Sequence, residues 1–154
     1  MRTLVLIRHS RAEPQRPDDH GRRLTASGRE DAGRVRRWLS EEGLLPDRVV
    51  VSTGARAQET WSLAGVGSAV PELDERLYEA SVASLREVVE ETGPDVATLV
   101  LVGHNPGLER FAWELDESDE ARDRTNRGMG TSGIAVFELT SWTDHTGRLA
   151  AFEA

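Results

Sequence analysis

Two histidines in this chain each follow a short apolar run, and both have the chemistry to handle an anionic substrate. Residues 4–7 lead directly into Arg8 and His9, and residues 98–102 lead, one glycine later, to His104. A neutral imidazole can be a nucleophile, a base or a metal ligand, and a satisfied polar histidine is the ordinary alternative. The permanent charge of Arg8 favours a neutral nucleophile at His9, because it disfavours both metal binding and protonation.

Two more side chains are candidates for the same site. Arg56 follows a third apolar run, residues 48–52, within the first turn of the helix predicted after it. Its guanidinium and the free N–H groups of that helix can converge on an anion, although most arginines are solvated at the surface. Glu79 lies in an irregular stretch and is a candidate proton donor to a leaving oxygen. Competing acids occur in the loop after His9, namely Asp18, Asp19 and His20.

The elements that must position these residues alternate between strands and helices. Buried strands are predicted at the three apolar runs, and two closing strands, 133–140 and 148–152, are predicted as a hairpin. If the strands at residues 4–7 and 98–102 are parallel neighbours, their carboxyl ends meet where open α/β sheets bind ligands. His9 and His104 then face one another over one crevice.

Helices are predicted between these strands. The first begins where Ser27 and Glu30 are spaced as a capping box and ends at Gly43. Others include Arg56 or cover residues 82–91 and 106–115, whereas residues 73–80 are predicted to be irregular, after a short extended piece at 70–71. The alternation predicts one α/β domain over residues 1–154, a three-layer α/β/α sandwich with a mostly parallel central sheet. The charged segment 116–127 is predicted to be a surface excursion.

Composition excludes several classes of function. The net charge of −8 argues against a nucleic-acid partner, and no apolar run is long enough to span a membrane. All 19 basic residues are arginines, which rules out a P-loop lysine and a Schiff-base lysine. The chain has no cysteine, so thiolate metal sites and cysteine nucleophiles are excluded, and we expect a cytoplasmic protein without a leader segment.

These motifs resemble, in order and spacing, those of the histidine phosphatase superfamily, also called the phosphoglycerate mutase-like family. Arg8-His9-Ser10 is similar to its Arg-His-Gly signature, with Ser10 in place of the glycine. The further matching blocks are residues 24–28, 52–60 and 102–106. The short length and residues 77–81 look most like the SixA-type phosphohistidine phosphatases.

The resemblance implies a role for each candidate residue. His9 is expected to be the phosphorylated nucleophile, Arg8, Arg56 and His104 the phosphate pocket, and Glu79 a candidate proton donor. Ser10 is expected to narrow that pocket or to add a hydroxyl donor to it. No cofactor or metal is expected, because the arginines and His104 supply the positive charge.

The expected function is hydrolysis of phosphohistidine in a protein or of small phosphomonoesters. One alternative is mutase chemistry on a phosphorylated sugar acid, for which the chain has little spare length. Another is a catalytically silent module that binds phosphate. A nucleotide-binding domain is disfavoured, because the first strand-to-helix turn, residues 8–13, has no glycine to approach a pyrophosphate. The oligomeric state is left open, with a monomer as one possibility.

Overall fold

The computed structural model describes residues 1–118 and 128–153. Six strands form one sheet: β1 (Arg2–Arg8), β2 (Arg48–Ser52), β3 (Glu72–Asp74), β4 (Thr98–Gly103), β5 (Ile134–Leu139) and β6 (Arg148–Glu153). Their order in the sheet is β3-β2-β4-β1-β5-β6. β1 pairs with β4, β4 with β2, and β2 with β3, all in parallel. β5 is antiparallel to both of its neighbours, and the predicted closing hairpin is confirmed.

Within the described residues, four α-helices cover the two faces of the sheet: α1 (Ala26–Glu41), α2 (Ala55–Ala64), α3 (Val82–Glu90) and α4 (Gly107–Leu115). Successive side chains of β1 point to opposite faces, as a strand requires. Val5 and Ile7 therefore pack in the core of α1 and α2, whereas Leu4 and Leu6 pack in the core of α3 and α4. The predicted three-layer α/β/α sandwich with a mostly parallel sheet is confirmed.

The parallel register of β1 and β4 sets the position of the two histidines. Arg8 lies opposite Gly103, and the backbone N–H of His9 donates to the Gly103 carbonyl over 3.0 Å. Each strand ends at this pair, so His9 and His104 emerge side by side at the carboxyl edge of the sheet. The expectation that these strands are parallel neighbours is confirmed.

Three local predictions are wrong. The capping box at Ser27 does not form, because α1 begins earlier and the Thr25 side chain accepts the Gly28 N–H. The last two residues of β3 lie in the stretch predicted to be irregular, since pairing with β2 supplies the order that the exposed sequence does not indicate. Asp116, the first residue of the predicted surface excursion, is buried and bridged to Gly147, whereas Glu117 and Ser118 are exposed.

Residues 119–127 of the predicted charged segment lie outside the described residues. Within the described part of the chain, no helix is long and apolar enough to cross a membrane.

Candidate active site

The two strand-end histidines form the centre of the site. Their ring centroids lie 5.1 Å apart, and both side chains are buried. Arg56, in the first turn of α2, is also buried and reaches the same point from the end of β2. The structure therefore brings together three of the predicted residues from three neighbouring parallel strands.

His9 is held in one orientation by hydrogen bonds to both of its ring nitrogens. Nδ1 lies 2.7 Å from the Ser10 carbonyl, and Nε2 lies 3.3 Å from the Nε of Arg56. A carbonyl only accepts, so Nδ1 carries the proton and Nε2 keeps its lone pair. The pKa of His9 is lowered to about 4, chiefly by burial and also by the charges of Arg56 and Arg8, while the Ser10 hydrogen bond partly opposes the shift. The ring is therefore neutral near pH 7.

His104 is held through Nε2, whereas its Nδ1 has no partner in the described part of the chain. Its Nε2 lies 2.7 Å from the Ser52 hydroxyl, and its Nδ1 is buried with no hydrogen-bond partner among the described residues. Burial is the largest of the effects that lower the pKa of His104 to about 3, and the neighbouring His9 and Arg56 contribute to the lowering. A Cβ on Gly54 would lie only 3.2 Å from the His104 ring, so glycine at this position makes room for the imidazole.

Arg8 is anchored beside the histidines by a backbone group. Its Nη1 donates to the Met129 carbonyl over 3.0 Å, and its buried Nε has no partner among the described residues. Burial holds the pKa of Arg8 below its usual range, and the charge of Arg56 adds to the lowering, whereas Glu109 opposes it. An unpaired buried donor is costly, so this N–H group is suited to an anion that approaches the histidines.

Asp19 orients Arg56, a role that the sequence did not indicate. The Asp19 carbonyl accepts from Nη1 of Arg56 over 2.8 Å, and its carboxylate lies 3.2 Å from Nη2. Tyr78 also donates to that carboxylate, over 2.5 Å. This hydrogen bond is the largest of the effects that lower the pKa of Asp19 to about 2. Arg56 and Arg22 contribute to the lowering, and desolvation opposes it. Asp19 is thus an ionised acceptor that fixes a guanidinium, rather than a proton donor held in reserve.

The other two competing acids are also occupied by local contacts. Asp18 accepts the backbone N–H of Gly21 over 3.0 Å and closes a turn. The His20 Nε2 lies 2.9 Å from the Thr53 hydroxyl, and the His20 ring packs edge-on against Tyr78. Both side chains shape the loop that carries Asp19.

Glu79 lies on the wall of a cleft of about 610 Å³ that Arg56 and His104 also line. Its side chain is exposed, and no hydrogen bond or ion pair of it occurs among the described residues. Its backbone has a φ of 52°, a left-handed conformation that costs a non-glycine residue about 1–2 kcal/mol. Retained strain of this kind is common at functional sites.

Ser10 makes structural contacts that the sequence did not indicate. Its hydroxyl lies 2.6 Å from the Ser132 hydroxyl, and its backbone N–H donates to the Thr60 hydroxyl over 2.9 Å. The Ser132 N–H in turn donates to the carbonyl of His9 over 3.0 Å. Ser10 therefore ties the His9 backbone to the turn before β5 and to α2.

Among the described residues, no group of three or more histidine, cysteine, aspartate or glutamate side chains is arranged to hold a metal ion. The guanidinium of Arg56 and the ring of His104 lie next to His9.

Comparison with known proteins places this architecture in a family. The model of the histidine phosphatase superfamily (branch 1) matches residues 4–124. The matched segment contains both strand-end histidines, Arg8 and Arg56. The chain belongs to the histidine phosphatase superfamily.

Individual relatives agree with this assignment. The uncharacterised protein Rv1276c from Mycobacterium tuberculosis is 34% identical over an alignment of 144 residues that covers 90% of each chain. The structure of a SixA protein from Nakamurella multipartitia, assigned as a phosphohistidine phosphatase, is 31% identical with a TM-score of 0.90, over 99% of this chain and 95% of that one. A SixA protein from Agrobacterium tumefaciens shares the fold, at 24% identity and a TM-score of 0.87, over 99% and 98% of the two chains.

Proposed function

We propose that this protein is a phosphatase that works through a covalent phosphohistidine at His9. The observation that carries the proposal is the hydrogen bond from Nδ1 of His9 to the Ser10 carbonyl, which keeps the ring proton on Nδ1 and the lone pair on Nε2, where Arg56 donates to it over 3.3 Å until phosphorus takes its place. A low pKa keeps this lone pair available at neutral pH. A neutral, oriented imidazole beside two guanidinium groups is the arrangement that nucleophilic phosphoryl transfer requires.

In the first step, His9 Nε2 forms a bond to phosphorus, and the bond from phosphorus to the leaving group breaks. The electron pair of that bond goes to the leaving atom. Where the leaving atom is an alkoxide oxygen, Glu79 supplies its proton. In the second step, water attacks the phosphorus, the P–N bond breaks, and the electron pair returns to Nε2 as inorganic phosphate forms. The proton of the water goes to the Glu79 carboxylate where Glu79 has donated one in the first step, and otherwise stays on the product phosphate.

Arg8, Arg56 and His104 hold the phosphoryl oxygens in both steps. Buried, oriented donors stabilise the charge that collects on these oxygens in the transition state more strongly than water does. The unpartnered Nε of Arg8 and Nδ1 of His104 support this role, because phosphoryl oxygens would supply the acceptors that these buried atoms lack.

Catalysis without a metal is part of the proposal. Two permanently charged guanidinium groups lower the pKa of His9. The same charges repel a divalent cation and take over its function of neutralising the phosphoryl group.

The proposed substrates are phosphohistidine in a protein and small phosphomonoesters. The similarity to the SixA protein from N. multipartitia supports the first class. The exposed carboxylate of Glu79 on the cleft wall supports the second, since alkoxide leaving groups need a proton. The partner is therefore a phosphorylated protein or a small phosphorylated molecule.

A phosphate-release assay tests the proposal. The protein is incubated in excess EDTA with a phosphohistidine protein, an alkyl phosphate and nitrophenyl phosphate, and His9→Ala is the matched control. We expect turnover of at least one substrate and none above background in the variant. Phosphate binding without turnover would instead identify a silent binding module, and activity that returns only with added magnesium would contradict catalysis without a metal.

A further inference from the structure

Ser52 has a hydrogen-bonding position that the proposed steps do not use. It is the last residue of β2, and its side chain is fully buried. Its hydroxyl oxygen lies 3.2 Å from the backbone N–H of Gly54 and 2.7 Å from Nε2 of His104. The hydroxyl thus lies between a backbone donor and a ring nitrogen.

Counting hydrogens assigns the direction of these bonds. The N–H of Gly54 can only donate, so it occupies one lone pair of the Ser52 oxygen. The hydroxyl hydrogen then needs an acceptor, and the neighbouring Nε2 of His104 is the one within reach. If Nε2 carried the ring proton instead, the buried hydroxyl hydrogen of Ser52 would have no acceptor among its described contacts, at a cost of about 1–3 kcal/mol.

We propose that Ser52 is a positioning residue that holds His104 in the tautomer with its proton on Nδ1. The proposal rests on the proposed function, because it assigns the buried Nδ1 of His104 as a hydrogen-bond donor to a phosphoryl oxygen. In the other tautomer that nitrogen presents a lone pair, which repels the anion.

The two histidines then have the same tautomer and opposite tasks. In His9 the Ser10 carbonyl accepts a hydrogen bond from Nδ1–H, so the lone pair on Nε2 is the one that faces phosphorus. In His104 the Ser52 hydroxyl donates to the lone pair of Nε2, so the N–H on Nδ1 is the group that faces a phosphoryl oxygen. A phosphoryl group needs both, an attacking electron pair at phosphorus and donors at its oxygens.

The test is the long-range ¹H–¹⁵N NMR spectrum of the ring nitrogens at pH 7.5, with the signals of His104 assigned by their loss in His104→Gln. Protonated and unprotonated ring nitrogens have well-separated ¹⁵N shifts. We expect a protonated Nδ1 and an unprotonated Nε2 in the wild-type protein. A proton on Nε2 of His104 would overturn the proposal without reference to any activity.

Ser52→Ala extends the test to function. With the hydroxyl removed, we expect part of the ring proton to move to Nε2. Turnover should fall and the inhibition constant for orthovanadate should rise, each roughly 10- to 100-fold, the range seen when residues that orient metal-binding histidines are removed. Thr92→Val is the matched control, since it also removes a buried hydroxyl. This hydroxyl is bonded to Val88 and Arg48. It is remote from the site, because Arg48 begins β2 at the opposite end of the strand.

The outcomes separate this proposal from the proposed function. An unchanged His104 tautomer in Ser52→Ala would overturn the positioning role, whatever the turnover. A tautomer held by Ser52 in a protein that turns over none of the phosphorylated substrates would leave the positioning role standing and contradict the phosphatase. Loss of activity to the same extent in Thr92→Val would show that Ser52 acts through stability and would also overturn the proposal.

Discussion

The floor of the cleft and its rim are built in different ways. The floor comprises the residues at the ends of adjacent parallel strands, Arg8, His9, Arg56 and His104, of which Arg56 and His104 line the cleft directly. The rim includes Glu79, which is exposed, lies in the segment before α3 and has a left-handed backbone. Side chains of the floor are fixed by the sheet, whereas those of the rim depend on loops.

This difference divides the proposed chemistry between the two regions. The floor meets the phosphoryl group, which is the same in every substrate, and a rigid arrangement of charges suits it. The rim meets the leaving group, which differs between a phosphohistidine and an alkyl phosphate. Changes to the floor should therefore affect all substrates alike, and changes to the rim should depend on the leaving group.

Glu79→Gln should produce the largest difference between substrates. An alkoxide needs a proton to depart, whereas imidazole and nitrophenolate leave with little help, so the loss should be confined to alkyl phosphates. We expect kcat on these to fall about 10²- to 10⁴-fold, the usual contribution of general acid catalysis. Steady-state kinetics on the three substrate classes measure the effect.

Glu75→Gln is the control for Glu79→Gln, because it neutralises another exposed carboxylate nearby in the chain. Equal losses on all substrates in Glu79→Gln would make Glu79 a residue that shapes the pocket. If no substrate were affected, Glu79 would be an ordinary solvated carboxylate with no role in catalysis.

Arg8→Lys and Arg56→Lys should reduce turnover of every substrate. Lysine keeps the charge but loses the planar fork of donors, and no neighbouring lysine is present to compensate. We expect kcat to fall about 10²- to 10³-fold in each variant. This corresponds to a loss of about 2.7–4 kcal/mol of transition-state stabilisation, as for the loss of one oxyanion donor. Arg34→Lys, at an exposed position on α1, should have almost no effect. A near-normal rate would remove that arginine from the floor.

Asp19→Asn should have a smaller effect that is again the same for all substrates. The amide cannot make the charge-assisted contacts to Arg56, so the guanidinium loses part of its orientation. We expect a loss of roughly 10-fold in kcat/KM, about 1.4 kcal/mol. A loss restricted to alkyl phosphates would show that Asp19, rather than Glu79, supplies the proton.

The buried histidines should also make stability depend on pH. His9 and His104 have folded-state pKa values of about 4 and about 3, below the ordinary value of 6.5. At a pH between the folded-state and the ordinary value, the unfolded chain therefore binds more protons than the folded protein. The free energy of unfolding should therefore fall as the pH is lowered from 6.5 to 5, by at most about 1.4 kcal/mol per pH unit and histidine. Urea unfolding measures it, and His104→Gln should flatten the slope. Equal slopes in variant and wild type would contradict the depressed pKa of His104.

The contrast between floor and rim also explains how far the sequence could predict the structure. β1, β2 and β4 are buried on both faces, so each appears as an apolar run, and the charged or polar residues that follow them were found from that pattern. β3 was missed because it is short and lies at the exposed edge, where only pairing with β2 indicates a strand.

The supporting residues of the site were harder to find. Asp19 and Tyr78 are 59 positions apart and meet only because the loop after β1 folds back onto the segment before α3. Nothing in the local sequence distinguishes Asp19 from Asp18, which closes a turn instead. The role of Ser52 was also missed, because its bond to His104 depends on the spacing of β2 and β4.

The most direct test of the account is to identify the nitrogen that becomes phosphorylated. The protein is mixed with excess substrate and quenched in base, in which phosphohistidine survives, and the adduct is located by mass spectrometry and by ³¹P NMR against the two phosphohistidine isomers. The Ser10 carbonyl occupies Nδ1 of His9, so we predict phosphorylation of His9 on Nε2. An adduct on Nδ1 of His9 or on another residue, or the absence of any adduct during turnover, would contradict the account.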